Sequence, residues 1–237
     1  MLSILLQQTV DTVIPNVESA LTTAAEPEVE MSFFDMALKG GWIMIPLVLM
    51  LVLACYIFFE RLFVIHSASK EDPSFMNRIK DYIYDGKIES AVNLCKSTHT
   101  PSARMIEKGI SRLGRPMSDV LVAIENVGNM EVAKLEKGLS LLSAIAGGAP
   151  MIGFLGTVLG MVEAFFNMAN KGDNTVNLSD LSGGIYTAMV TTVAGLIVGI
   201  LAYFAYNYLV SRVSAVMRRL ESSSMEFMDL LNEPSVK

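Results

Sequence analysis

Charge is scarce in this sequence. Only 18% of its 237 residues are Asp, Glu, Lys or Arg, against ~25% in an average soluble domain. Cysteine is scarcer still: Cys55 and Cys95 are the only two, which excludes a disulfide-stapled secreted module. Basic residues are outnumbered, 18 against 24 acidic, for a net charge of −6. A nucleic-acid binder gathers Lys and Arg into a basic footprint, so no nucleic-acid partner is expected. A Gly-rich loop followed by Lys-Ser or Lys-Thr, the mark of a phosphate cradle, is also missing. His66 and His99 are isolated, and Cys95 beside His99 supplies only two ligands, too few for a metal site. No metal, no cofactor and no catalytic residue set is expected. What abounds is apolar surface: 52% of residues are hydrophobic and the mean hydropathy is +0.46. That excludes a disordered chain and leaves a membrane protein or an unusually apolar soluble one.

The positions of the missing charges decide between these. Gly40 to Phe59 is a run of 20 residues without charge, Gly138 to Val162 a run of 25, and Leu181 to Ser211 a run of 31. A bilayer core of ~30 Å takes about 20 helical residues, so all three windows are long enough to span. The expected fold is all-α, an integral membrane protein with three transmembrane helices over 42–64, 139–168 and 183–210. The basic residues set its orientation. The N-terminal stretch holds only Lys39 and the loop 169–182 only Lys171, whereas 65–137 holds 11 and the chain from Arg212 onward holds 4. The positive-inside rule then places the N-terminus and the loop 169–182 outside, and residues 65–138 and 211–237 in the cytoplasm.

Met1–Leu6 has no basic residue before its short apolar run, which argues against a cleaved signal peptide. Within the outer segment 1–41, Ser32 suits the cap of a short helix ended by Gly40-Gly41. With Trp42 alongside, that helix suits the outer membrane interface, though an ordinary lead-in loop fits equally well. In the cytoplasmic part, Phe75-Ile79-Ile83 and Val120, Ile124, Val127, Glu131 and Leu135 recur at helical spacing, and Asp85-Gly86-Lys87 reads as a turn. The segment 119–137 lacks Pro and leads into the second span, predicting a helix that continues below the membrane. The tail to residue 231 likewise prolongs the third span. Together they predict two spans extended into a cytoplasmic helical bundle.

The second and third spans are the informative ones. Gly153, Gly156, Thr157 and Gly160 make one face of small side chains. Ala188, Thr192, Gly195, Gly199 and Ala202 make a matching one, spaced 4, 3, 4 and 3. Small residues let helix backbones approach in lipid, so these faces predict tight packing. Thr157 and Thr192 lie at similar depth, on the order of 15 Å inward from the outer ends. Their hydroxyls either bond a carbonyl one turn back or form a ring facing a pore or a partner helix. Glu60-Arg61 at the inner end of the first span reads as an ion pair, and Glu163 sits toward the outer end of the second. No Asp or Glu falls near the midplane, so a proton carrier, if there is one, comes from another chain.

Ala149-Pro150-x-x-Gly-x-Leu-Gly-Thr-Val-x-Gly-Met161 and Thr191-Thr192-Val-Ala-Gly-Leu-Ile-Val-Gly-Ile200, with Tyr206-Asn207 and Glu60-Arg61, resemble the MotA/TolQ/ExbB proton-channel family. The likeness runs over residues 33–225. Three spans rather than four favour its ExbB/TolQ branch, and an outer segment of about 40 residues favours ExbB within it. The resemblance implies a homopentamer around a central pore in a bacterial inner membrane. The pore would hold a dimer of ExbD-like single-span helices, each with one protonatable Asp, and a TonB-like protein would receive the work. A TolQ-like subunit of a Tol–Pal system is the near alternative, a structural membrane scaffold the distant one. By the same resemblance, Thr157 and Thr192 face the pore beside the partner's Asp. ExbB-type chains often carry Glu five residues before the second Thr of the pair. Here Thr187 stands there, a hydroxyl that can pass a proton through water but holds no charge.

Overall fold

The computed structural model describes residues 40–70, 72–170 and 178–232. The expected outer helix capped by Ser32, and residues 171–177 of the loop 169–182, lie outside these residues. Seven helices make up the described residues, which contain no strand: α1 Met44–Ala68, α2 Phe75–Tyr84, α3 Ile88–Ser97, α4 Pro101–Ile110, α5 Met117–Glu136, α6 Leu139–Asn170 and α7 Leu178–Asn232. Three stretches, within α1, α5–α6 and α7, are long and apolar enough to cross a membrane.

Their outer faces carry large apolar side chains in the open, among them Phe59, Phe63, Phe154, Phe166 and Phe204. In water such a surface would be an aggregation liability; facing lipid it needs no cover. α1 accordingly buries little beyond Leu47, Ala54, Ile57, Arg61 and Ile65.

The four shorter helices obey local rules. Thr100 caps α4 by accepting a bond from the Ala103 N–H at 3.3 Å, with Pro101 in the first turn. Gly86, with a φ of +73°, turns the chain between α2 and α3. α4 and α5 pack against the far half of α7. There Ile106, Ile124 and Phe227 are fully enclosed. Gly109 makes the room: a Cβ on it would stand 2.7 Å from the Phe227 ring and 2.8 Å from Ile124. Arg219 ties α7 to the end of α1, its Nη1 donating to the Ser69 carbonyl at 2.9 Å and to the Ser69 hydroxyl at 2.8 Å.

The periodicity of 119–137 runs straight into the second span, but the backbone does not. α5 stops at Glu136, and Gly138, at φ +85°, turns the chain before α6 begins. That φ is open to Gly and strained for other residues. Arg61 grips the joint from α1, its Nη1 donating to the Lys134 carbonyl at 3.2 Å, a group left over at the end of α5. α7 has no such joint. It is a single helix of 55 residues, and it starts at Leu178 rather than at residue 183.

Candidate functional site

Among the described residues α6 and α7 make the most extensive helix contact, and the reason is legible atom by atom. A Cβ added to Gly195 would come within 2.7 Å of the Ala149 carbonyl and 2.8 Å of the Gly153 Cα. One added to Gly153 would come within 2.9 Å of the Thr191 carbonyl, and one on Gly160 within 2.9 Å of the Ala188 Cβ. At Gly153 and Gly195 backbone meets backbone, which Ala at these positions would prevent. Gly199 has a different neighbour. It crosses Pro150, which lies inside α6, and its Cβ would stand 2.5 Å from the proline ring.

This close approach carries three hydroxyls into one place. Thr157 and Thr192 touch through their Oγ1 atoms. Thr157 Oγ1 also lies 3.3 Å from the Ala188 carbonyl and 3.4 Å from that of Gly153. Thr192 Oγ1 donates to the Gly153 carbonyl at 3.1 Å. Thr191 completes the knot: its Oγ1 donates to the Ala188 carbonyl at 2.7 Å, and the residue is only 1% exposed. A Cβ on Gly156 would stand 2.5 Å from this Oγ1, so Gly156 is the hole that Thr191 fills. Thr157 and Thr192 remain half-buried and reachable. Thr157 thus lies within reach of the carbonyl one turn back, whereas Thr192 bonds across to α6.

Thr187 does not join. It lies one turn from Thr191, about 6 Å along the axis, half-buried and outside the hydroxyl contacts. Glu60 and Arg61 meet at 3.0 Å at the far end of α1. The small residues Gly153, Gly156, Gly160, Ala188, Gly195 and Gly199 all line the seam between α6 and α7. Thr191 stands in the Thr191-Thr192 motif but off the small-residue face, and the hole at Gly156 is the signal that a side chain enters there.

A second polar group sits beside the α5–α6 joint. Glu131 is 4% exposed and accepts from Arg104 at 2.5 Å and Lys134 at 2.6 Å. Burial pushes its carboxyl up, but the bonds to Arg104 and Lys134 outweigh that and hold it below the usual range. Its place in an apolar periodicity thus conceals an ionic link from α4 to α5. Among the described residues no cluster of three metal-ligating side chains occurs.

Residues 97–222, a little over half of the chain, match the MotA/TolQ/ExbB proton channel family. The chain belongs to that family. The match takes in α4–α6 and most of α7, including every residue of the hydroxyl knot. Within the family, the chain is 29% identical over 185 residues to a protein of Synechocystis sp. named ExbB-like 1, covering 77% of this chain and 72% of the relative. It is 28% identical over 219 residues to the Tol-Pal system protein TolQ of Haemophilus influenzae, covering 86% and 95%. It is 39% identical over 80 residues to the biopolymer transport protein ExbB of Aquifex aeolicus, covering 34% and 53%. Both the ExbB and the TolQ names therefore occur among relatives of this proton-channel family member.

Proposed function

We propose that this chain is the proton-channel subunit of an ExbB–ExbD–TonB type motor in a bacterial inner membrane, assembled as a homopentamer around single-span partner helices. The observation that carries the reading is how the hydroxyl knot uses its protons. A threonine has one O–H to give and two lone pairs to offer. Thr191 gives its O–H to Ala188, Thr192 to Gly153, and Thr157 to Thr192 or Ala188. The donors are committed within the chain, so what Thr157 and Thr192 present outward is lone pairs. Lone pairs accept from a protonated carboxyl and repel a carboxylate. At this depth the two helices carry no charge of their own, so a guest Asp is held neutral here and released as an anion only where water reaches it. A proton crossing ~100 mV yields ~2.3 kcal/mol, so each mechanical step is small and the work takes many protons.

The excess of Lys and Arg in 65–137 and after Arg212 supports α2–α5 and the far half of α7 lying in the cytoplasm and the N-terminus in the periplasm. Thr187 adds a hydroxyl near the outer approach to the knot. Co-reconstitution with the ExbD-like partner in liposomes, with proton entry followed by an internal pH dye, tests the reading. Thr157→Ala and Thr192→Ala are expected to cut flux about tenfold, the worth of one hydrogen bond at a reacting group, ~1.4 kcal/mol, with Thr192→Ser retaining it. Unchanged flux in both alanine variants overturns it. The TolQ-like reading has one observation in its favour, the match across 95% of the length of a TolQ relative. Complementation of strains lacking either TolQ or ExbB separates the two.

A further inference from the structure

The inward-facing pattern of α5 and α6 ignores the joint between them. Gly128, Glu131 and Leu135 are buried on α5, and Leu139, Leu142 and Ile145 on α6. Leu135 and Leu139 are four residues apart, the step that one unbroken helix would take. A continuous helix through the joint would therefore turn the same residues inward. Two residues of backbone interrupt it. Lys137 is extended, with ψ at 127°, and Gly138 is left-handed, with φ at +85°.

One carbonyl registers the interruption. In an unbroken helix the Lys134 C=O accepts from the N–H four residues on, that of Gly138. Here that bond is not made, and the carbonyl accepts from Arg61 Nη1 on α1 at 3.2 Å. Arg61 is only 9% exposed, and its Nη2 meets Glu60 at 3.0 Å. Its Nε–H is buried and has no acceptor among the described residues, an arrangement that settled interiors rarely keep. A Cβ on Gly138 would stand 3.7 Å from this Nε and 3.6 Å from Ile57, so the guanidinium flanks the joint itself.

We propose that Arg61 and Gly138 form a conformational switch in which the Lys134 carbonyl passes between two donors. With Arg61 on it, α5 and α6 are separate helices, as in this structure. With Arg61 withdrawn, the Gly138 N–H takes the carbonyl, Lys137 and Gly138 become helical, and α5–α6 becomes one helix. The buried face is common to both states, so no side chain has to cross from inside to outside. Gly138 adopts either sign of φ without steric penalty. Lys137 alone shortens from ~3.3 Å to ~1.5 Å of rise, which draws α5 toward the membrane spans by roughly 2 Å. The position of α1 sets the switch. Its output reaches α4, because Glu131 accepts from both Lys134 and Arg104. Nothing in this switch depends on proton conduction or on the number of copies assembled.

Hydrogen exchange read by mass spectrometry, on the full chain in phosphatidylcholine nanodiscs, tests it at residues 138–141. Their N–H groups lie at the joint and in the first turn of α6, where a separate helix offers them no acceptor; one unbroken helix gives each an acceptor. Arg61→Gln removes the competing donor. Gly138→Ala penalises positive φ without meeting any atom closer than 3.6 Å. Both are expected to slow exchange of this segment at least about tenfold. Gly138→Asn, which tolerates the left-handed region, is expected to exchange like the wild type. Loss of a merely structural contact would speed exchange, so the sign of the change decides. Faster or unchanged exchange in Gly138→Ala, or in an Arg61→Gln chain whose segment 153–160 stays protected, overturns the proposal.

Discussion

Glu131 keeps its charge where only 4% of its surface meets water, because Arg104 and Lys134 reach it from the solvent side, with side chains 42% and 63% exposed. Its folded pKa is depressed, so its contribution is complete above the ordinary Glu value of ~4.3 and is lost as the pH falls through the lower folded value. Glu131→Gln is expected to lower stability at neutral pH by ~1–2 kcal/mol, since both cations stay hydrated, and to flatten the acid side of the melting profile. Thermal unfolding across pH checks both. Cys95 shows the opposite response. Burial, with Glu107 nearby, pushes its thiol up to about 12, so with the exposed Cys55 replaced by Ala a maleimide is expected to label Cys95 only on unfolding, at the rate of global opening; rapid labelling of that variant in its native state would contradict the enclosed position. The sequence marked Thr157 and Thr192 because equal depth and a shared small-residue phase are local facts. It could not mark Glu131, whose partners include a residue 27 positions away, nor Thr191, whose place is decided by a hole on another helix.

At the scale of helices, the glycines divide by what they face. Gly195 meets backbone, which cannot yield, while Gly147 on α6 has nothing within 4 Å of its would-be Cβ. Gly195→Ala is expected to cost ~1–3 kcal/mol by forcing α6 and α7 apart. Gly147→Ala is expected to gain ~0.5–1 kcal/mol from helix propensity. Denaturant titration in detergent measures both; a loss at Gly147 would mean that another helix lies on that face. The short helix α2 was readable from the apolar spacing of Phe75, Ile79 and Ile83. The break at Gly138 was not, because a helix tolerates a single glycine. What distinguishes this one is a long-range contact, Arg61 on the Lys134 carbonyl 73 residues away.

At the scale of the molecule, the α6–α7 seam sets the shape that each chain brings to the proposed assembly. Native mass spectrometry is expected to show a fivefold complex for the wild type and its loss in Gly156→Leu, where the larger side chain displaces Thr191 and opens the seam. A wild-type yield of pentamer in that variant would separate seam from assembly. Three spans were evident in the sequence because exclusion of charge over 20 or more residues has one physical meaning in lipid; the path of the chain below them depended on contacts that no single window contains. The unequal construction of the two long helices has a mechanical consequence. α5–α6 is articulated at Gly138, whereas α7 is an uninterrupted strut whose hydroxyl-bearing turn and methionine-lined end lie about 54 Å apart at the helical rise. A tilt of about 3° at Thr192 sweeps Met228 through nearly ~3 Å by leverage alone, so a displacement too small to unseat the upper packing arrives at the other end as a change the size of a methyl group.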